Sequence, residues 1–124
     1  MKLAKLSAKI KDIYSFNGRI DQARFIDRAL WLNLFIIVPY LLRHHSPALE
    51  QNLLLGAVMV AGIVAMTATV VKRMHDYGTQ GGWVVGFLLC LRAPYLYLLW
   101  LLVLARREGT KGANDYGRDP LRMY

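Results

Sequence analysis

Apolar positions in this chain fall into three long runs that short polar segments separate. The most uniform run, residues 53–71, has no charged side chain and only two threonines as polar ones. In a helix it extends about 28 Å, close to the thickness of a bilayer's hydrocarbon core. Residues 25–42 and 83–105 form the other two runs, with Pro39 predicted to kink or end the first. Run length favours membrane spans over the alternative, a soluble helical bundle.

The first fourteen residues have a different, helical periodicity. Apolar side chains recur on one face and mainly basic ones on the other, which predicts a basic amphipathic helix in the headgroup region. A frayed, solvated terminus is the alternative, since so short a helix is marginal in water. The lysines also interrupt the apolar stretch that a cleaved signal peptide needs. The two faces are Leu3, Leu6, Ile10 and Ile13, and Lys2, Lys5, Lys9 and Asp12.

The third apolar run carries Arg92-Ala93-Pro94 near its middle. One interpretation is a re-entrant hairpin of two half-helices, with Arg92 near the far headgroups. The other is a single kinked span in which Arg92 faces another helix or a wet cavity. A hairpin keeps the basic tail, residues 106–124, on the same side as the basic N-terminus, as the positive-inside rule favours, although each arm is shorter than a full span.

Composition narrows the classes of partner. The chain is 56% hydrophobic and has a net charge of +8, and its basic residues cluster beside the apolar runs. This arrangement favours anionic lipid headgroups over nucleic acid. The single Cys90 excludes an intrachain disulfide, and no metal-ligand spacing or cofactor motif is present, so we expect neither metal nor cofactor.

Small residues recur at every fourth position in the second and third runs, which predicts close helix packing within the chain or in a homo-oligomer. The two stripes are Ala57, Ala61, Ala65 and Thr69, and Gly82, Gly86 and Cys90.

Three polar segments contain residue types that a lipid-facing position does not explain. They read F-x-G-R from Phe16, R-x-H-D-x-G from Arg73 with Trp83 following, and G-T-x-G-x-N-x-Y-G-x-D-P from Gly109. In this order and spacing, over residues 14–120, the chain resembles the YhaH/YhaI-like family of small bacterial inner-membrane proteins, a domain of unknown function (805). The resemblance implies a helical domain of the cytoplasmic membrane without an established activity. Family members usually have an uncharged stretch where this chain has Arg92.

If the third run is a hairpin, the three segments meet at one membrane face. One interpretation is purely structural: arginines pair with Asp27, Asp76 and Asp119, and the turn residues connect the helices at the end of the bundle. The sharper one is a site for an anionic headgroup or a peptide. Its candidate residues are Arg19, Arg24, Arg73, His75, Asp76, Asn114 and Arg118, with Asp115 and Asp119 on the same surface.

Three functions remain open at this point. The favoured one is a non-enzymatic inner-membrane scaffold or adaptor that binds anionic lipids or a protein partner. The second is a membrane enzyme acting on a phosphorylated lipid, with His75 as the general base. The third is a small oligomeric channel or transporter built around Arg92. The sequence has no paired catalytic carboxylates and no nucleophile beside His75 that would support the enzyme hypothesis. We therefore assign no catalytic residue.

The sequence therefore predicts one all-α integral membrane domain over residues 1–124. It consists of an interfacial amphipathic helix at 1–14, two full transmembrane spans at 25–42 and 53–71, a third apolar run at 83–105 broken near Arg92 to Pro94, and a turn-rich basic tail. We expect the protein in the bacterial inner membrane with its N-terminus in the cytoplasm.

Overall fold

The structure is a computed structural model, and it describes residues 1–45, 48–79, 84–90 and 92–120. The described residues form helices and turns, and no strand occurs among them. In chain order the helices are α1 (Lys2–Tyr14), α2 (Gln22–His45), α3 (Leu49–Asp76), α4 (Val84–Cys90) and α5 (Pro94–Arg106). The predicted all-helical class is therefore confirmed.

The long helices α2 and α3 form an antiparallel pair that is the centre of the molecule. Both are long and apolar enough to cross a membrane. They pack closely at Gly62, where a β-carbon would lie 3.1 Å from Ile36 Cγ1. A larger residue at this position would push the helices apart, so the missing side chain sets their separation. The buried core continues from here along Phe25, Met66 and Val70 towards one end of the pair.

Most of α2 faces outwards with apolar side chains. Leu30 and Trp31 are 67% and 62% exposed, and large apolar residues continue along the helix beyond them. Apolar exposure on this scale is typical of a surface that contacts lipid. Pro39 lies inside α2, which runs on to His45. Of the two predicted effects of this proline, an end of the helix is therefore wrong, and the charged segment from Gln22 is continuous with the first span.

The third apolar run is divided into α4 and α5, with Arg92 and Ala93 in the turn between them. The ring centroids of Phe87 and Tyr97 lie 5.4 Å apart, and a β-carbon on Gly86 would lie 3.3 Å from the Trp100 ring. Residues on either side of the turn thus contact each other, so the two helices fold back on one another. The Arg92 side chain is exposed.

The last part of the described chain returns to the end of the bundle where α2 begins and α3 ends. Beyond α5 the chain makes turns, with an isolated antiparallel bridge between Asn114 and Gly117. Thr110 N donates to Asp76 O over 2.6 Å, so the tail lies directly on the end of α3. The first apolar helix and the tail are therefore joined at one end of the molecule.

Part of the small-residue stripe of α3 packs against other residues of the same chain. Ala65 and Thr69 are buried, whereas Ala57 and Ala61 are exposed. In the second stripe, Gly86 packs on Trp100 within the α4–α5 pair. Gly82, like the Trp83 that follows it, lies outside the described residues.

Candidate functional site

The three polar segments meet around the carboxylate of Asp76, at the C-terminal end of α3. Asp76 Oδ1 accepts from Arg19 Nε at 2.9 Å, and Asp76 Oδ2 accepts from Arg73 Nη1 at 2.6 Å. The carboxylate is almost fully buried, with only 6% of its side chain exposed. We call Arg19, Arg73, Asp76 and the tail backbone from Thr110 to Gly117 the polar junction.

Arg19 connects the first segment to the tail. In addition to its pair with Asp76, its guanidinium donates to three tail carbonyls, with Nη2 2.6 Å from Thr110 O and Nη1 2.7 Å and 3.3 Å from Gly112 O and Gly117 O. Only 1% of its side chain is exposed. Gly18, with φ at +98°, provides the turn that aims Arg19 inwards, a conformation that glycine adopts without steric cost.

Arg73 connects α3 to the ends of α2 and α5. Its Nε donates to Leu104 O at 2.9 Å and its Nη1 to Ile20 O at 3.2 Å, and Nη2 donates to Arg107 O. The side chain is completely buried. Helix α5 ends here, so its last carbonyl oxygens have no backbone N–H donors within the helix, and Arg73 supplies donors to them.

His75 and Asn114 complete the contact between α3 and the tail. The His75 ring stacks on Tyr116, with centroids 4.0 Å apart and planes 3° from parallel, and its Nδ1 is 3.1 Å from Gly18 O. Asn114 Nδ2 donates to His75 O at 2.9 Å, while Asn114 Oδ1 accepts from Tyr116 N. The contacts of His75 are those of a packed side chain, and they give no specific support to a general base.

The remaining predicted site residues lie at the margin. Arg24 Nη1 is 3.7 Å from Asp21 Oδ1, three residues earlier in the chain, and 40% of the Arg24 side chain is exposed. Arg118 is exposed. Asp119 Oδ2 accepts from Gly112 N at 3.0 Å, and so shapes the tail.

The predicted site thus divides in two. Arg19, Arg73 and Asp76 hold the segments together, and the two guanidinium groups are buried with their donors engaged by protein acceptors. They are not free to bind a headgroup in this arrangement. Arg24 and Arg118 are accessible, so headgroup binding by them stays a prediction. Of the three predicted arginine partners, Asp76 is paired with arginine here, whereas Asp27 is exposed.

Sequence reasoning missed a second polar connection, which joins α1 to α2 and α3. Asp12 Oδ1 lies 2.9 Å from Lys72 Nζ, and Asp12 Oδ2 lies 2.8 Å from Arg28 Nη2. Burial alone would raise the pKa of the Asp12 carboxyl, but hydrogen bonds and charges from Lys72 and Arg28 outweigh it and lower the pKa. The available signal was that Asp12 is the one acid in α1.

Two cavities adjoin α2. An apolar groove of about 660 Å³ extends from Phe25 to Tyr40 along α2 and from Tyr97 to Ala105 along α5. Inside it Tyr97 Oη donates to Asn33 Oδ1, whose Nδ2 donates to Ala29 O, so these polar groups satisfy one another. A polar cavity of about 390 Å³ lies at the polar junction and is lined by Gln22 and Ala23 of α2 and by the start of the tail.

Comparison with known proteins places the chain in a family. The family model described as "Protein of unknown function (DUF805)" matches residues 13–118. The chain belongs to this family. This DUF805 protein is also 28% identical over 115 residues to inner membrane protein YhaI of Escherichia coli K12, a match that covers 90% of each chain, and equally to YhaI of E. coli O157:H7. No solved structure matches it.

The matched residues include all of the polar junction. The family match begins at residue 13 and ends at residue 118, so it takes in the arginine-containing turn, the end of α3 and the tail turns, while most of α1 precedes it. The relatives' description as inner membrane proteins agrees with the two apolar helices, and this DUF805 protein is a membrane protein.

Proposed function

We propose that this protein is a non-enzymatic inner-membrane scaffold that binds anionic lipid headgroups at its cytoplasmic face through α1. The observation that carries the proposal is the exposure of both faces of this helix. Leu3, Leu6 and Ile10 are 82%, 54% and 48% exposed, and the four lysines of α1 are all exposed. An apolar stripe beside unpaired lysines is the surface that inserts among headgroups, each lysine contributing about 1 kcal/mol near an anionic leaflet.

The anchoring of α1 supports this role. Its last turn is held to the bundle by Asp12, and Ile13 packs on the core, while the residues of the preceding turns are exposed. The helix is therefore fixed at one end: Lys72 and Arg28 hold Asp12 at the level where the apolar part of α3 ends, and the Tyr14 side chain reaches Ala61 O within the apolar part. A helix held at this level lies in the interfacial region of the leaflet, where its lysines meet the lipid phosphates.

The experiment reports the depth of α1. A Leu6→Cys variant in a Cys90→Ala background carries an environment-sensitive fluorophore, and the protein is reconstituted in phosphatidylcholine with or without phosphatidylglycerol. We expect a blue shift that requires phosphatidylglycerol and is lost when Lys2, Lys5, Lys9 and Lys11 become glutamine. The matched control changes four basic residues outside α1, Arg106, Arg107, Lys111 and Arg118, to glutamine. Equal loss in both variants would contradict a specific role for α1.

The topology belongs to the same proposal. The tail contacts Asp76 and Arg19, so in a membrane we place it with the N-terminus in the cytoplasm and assign α4 and α5 to a re-entrant hairpin. Helix α5 is thirteen residues, about 20 Å, so the turn at Arg92 stops short of a full crossing. Single cysteines at His45, Thr79 and Ala113 test this with an impermeant thiol reagent. Labelling at 79 and 113 from the cytoplasm and at 45 from outside is expected, and external labelling at 113 would overturn it.

A homo-oligomer is the partner that the helix surfaces support. Ala57 and Ala61 form the exposed part of the small-residue stripe of α3. Tyr14 Oη of α1 contacts Ala61 O, so a second copy would approach closely at Ala57. Disulfide crosslinking of Ala57→Cys in native membranes tests this contact, with Leu30→Cys, which is exposed on α2 instead of α3, as the control.

A further inference from the structure

A further cavity lies on a different face of α5 from the apolar groove, between this helix, the end of α3 and the end of α4. Its volume is about 550 Å³. No described residue lines both this cavity and the groove. Met74 and Tyr77 line it at the end of α3, and Cys90 lines it at the end of α4. The residues of α5 that line it are Leu96, Leu99, Trp100, Val103 and Leu104, with Arg107 directly after the helix.

This α3–α5 cavity is polar at one end only. Arg107 and Thr79 lie where α5 and α3 have just ended, at the end of the bundle that carries the polar junction. From Arg107 to Leu96 the cavity follows eleven residues of α5, about 17 Å, which is close to half the thickness of a hydrocarbon core of about 30 Å. A single cavity thus has the length of one lipid chain and a polar mouth at the level of the headgroups.

Arg107 is the one charged residue among the described residues that line this cavity. Its guanidinium is exposed and lies over the ring of Tyr77, with Cζ 4.9 Å from the ring centroid, a contact that holds it at the mouth. No ion pair or hydrogen bond engages this guanidinium in the described part of the chain. Helix α5 does not need it as a cap, because Arg73 and Tyr77 already donate to the last carbonyl oxygens of the helix.

The mouth and the wall of the cavity select different parts of one ligand. A guanidinium offers a planar pair of N–H donors that matches the oxygens of a phosphate, and its donors at Arg107 are available. The Tyr77 hydroxyl already donates to Leu104 O, so it does not require a partner inside the cavity. The wall between Arg107 and Leu96 is otherwise mainly apolar, and an acyl chain can line it without leaving a charged group unpaired.

We propose that the α3–α5 cavity binds one molecule of an anionic phospholipid. The phosphate pairs with Arg107 beside Thr79, and one acyl chain follows α5 as far as Leu96. Phosphatidylcholine carries the same phosphate, but its ammonium group repels the guanidinium, so the site prefers a lipid with a net negative charge. This goes beyond the function proposed for α1, which rests on a membrane surface, whereas the cavity holds a single lipid between helices of the bundle.

The test uses Trp100 as a reporter inside the cavity. Phenylalanine replaces Trp31 and Trp83, which leaves Trp100 as the one tryptophan of the full chain. It lies seven residues, about 10 Å, along α5 from Arg107, at the depth of an acyl chain. The protein is reconstituted in phosphatidylcholine with equal fractions of either phosphatidylglycerol or phosphatidylcholine brominated at mid-chain, since bromine quenches a nearby indole. An arginine at an anionic lipid predicts about a fivefold preference for phosphatidylglycerol.

Two matched variants separate the cavity from the general charge of the protein. Arg107→Gln should bring the preference at Trp100 close to one. Arg106→Gln removes the same charge from the preceding residue, which is also exposed but does not line the cavity, and should leave the preference unchanged. A protein that retains Trp31 alone, exposed on α2, reports the lipid around the bundle and should show a clearly weaker preference.

Several outcomes would overturn the proposal. Equal quenching by the two brominated lipids at Trp100, a preference that survives in Arg107→Gln, or the same preference at Trp31 each excludes a specific site. Should a variant fail to fold, the wild-type protein supplies a second measurement. Alkylation of Cys90 by N-ethylmaleimide in detergent should slow with phosphatidylglycerol more than with phosphatidylcholine, and equal rates exclude the site. Glutamine at the four lysines of α1 should not change the preference at Trp100, so the two proposals fail separately.

Discussion

A single carboxylate separates two buried arginines at the polar junction. Asp76 gives one oxygen to Arg19 and the other to Arg73, and the remaining donors of both guanidinium groups point to main-chain carbonyls at the ends of α2 and α5 and in the tail. Guanidinium suits this task because it presents five N–H donors in a rigid plane, which lysine does not. The two arginines act as caps for chain segments that have no secondary-structure partners.

Asp76→Asn should therefore be strongly destabilising. It retains the shape of the side chain but leaves two buried cations without a counter-charge, a change that costs about 3–5 kcal/mol. Thermal unfolding in detergent, followed by circular dichroism, measures the loss. Asp115→Asn, at an exposed position in the tail, is the control and should stay within about 0.5 kcal/mol of the wild type. Similar midpoints for the two variants would refute the importance of the junction.

Gly109 has a steric role at the same place. A β-carbon there would overlap Asp76 Oδ2, so the tail backbone passes the carboxylate at a distance that only glycine permits. Gly109→Ala should displace Asp76 from its arginines and cost at least the 1–3 kcal/mol that is typical of overpacking. The same thermal unfolding assay reports it, with Lys111→Ala as the exposed neighbour. Wild-type stability in Gly109→Ala would mean that the tail yields without disturbing Asp76.

At the scale of elements, α1 is the helix with the weakest attachment. Its residues from Met1 to Asp12 are exposed, and the connection to the bundle depends on its last turn. Asp12 accepts the Lys72 ammonium and the Arg28 guanidinium there, and Tyr14 Oη donates to Ala61 O at 3.3 Å. One ionisable group thus controls how firmly the basic helix is held.

The contribution of Asp12 should depend on pH in a defined direction. Its pKa in the folded protein is lowered below the ordinary value of about 3.9, because Lys72 and Arg28 favour the charged form. Its stabilising contribution is then fully present above pH 4 to 5 and is lost as the pH falls through the lowered value. The difference in thermal midpoint between wild type and Asp12→Asn should be constant from pH 7 to 5 and shrink below pH 4. A difference that grows on acidification would contradict this assignment.

The elements differ in how well local sequence predicts them. The runs at 25–42 and 53–71 lie within α2 and α3, and the charge and proline at Arg92 to Pro94 coincide with the division of the third run. The Asp12–Lys72 and Arg19–Asp76 pairs join residues about sixty positions apart. No local periodicity encodes such pairs, because they depend on how α1 and the tail return to α3. The sequence does not predict the burial of Arg73 for the same reason, since the acceptors of its hydrogen bonds are carbonyl oxygens of distant segments.

At the scale of the whole molecule, the polar junction joins the chain segments at one end of the bundle. It takes the place of the extensive core that a soluble protein of this size would have. Helix α2 carries most of its apolar side chains outwards, and the described core is one cluster of ten buried residues that includes Phe25, Met66 and Val70. In a bilayer, burial of apolar surface does not drive helices together, and packing and hydrogen bonds must do so. The polar junction provides them where the chain leaves the membrane.

This dependence predicts that the tail and Arg19 act as one unit. Ending the chain after Arg107 removes the carbonyls of Thr110, Gly112 and Gly117 that Arg19 binds, so both the truncation and Arg19→Leu should lower the thermal midpoint. The two changes together should cost clearly less than the sum of the single ones, because each removes the partner of the other. Arg118→Gln in the full chain is the control for loss of tail charge. Strict additivity would mean that Arg19 stabilises α3 alone, and that the bundle does not need its tail to close.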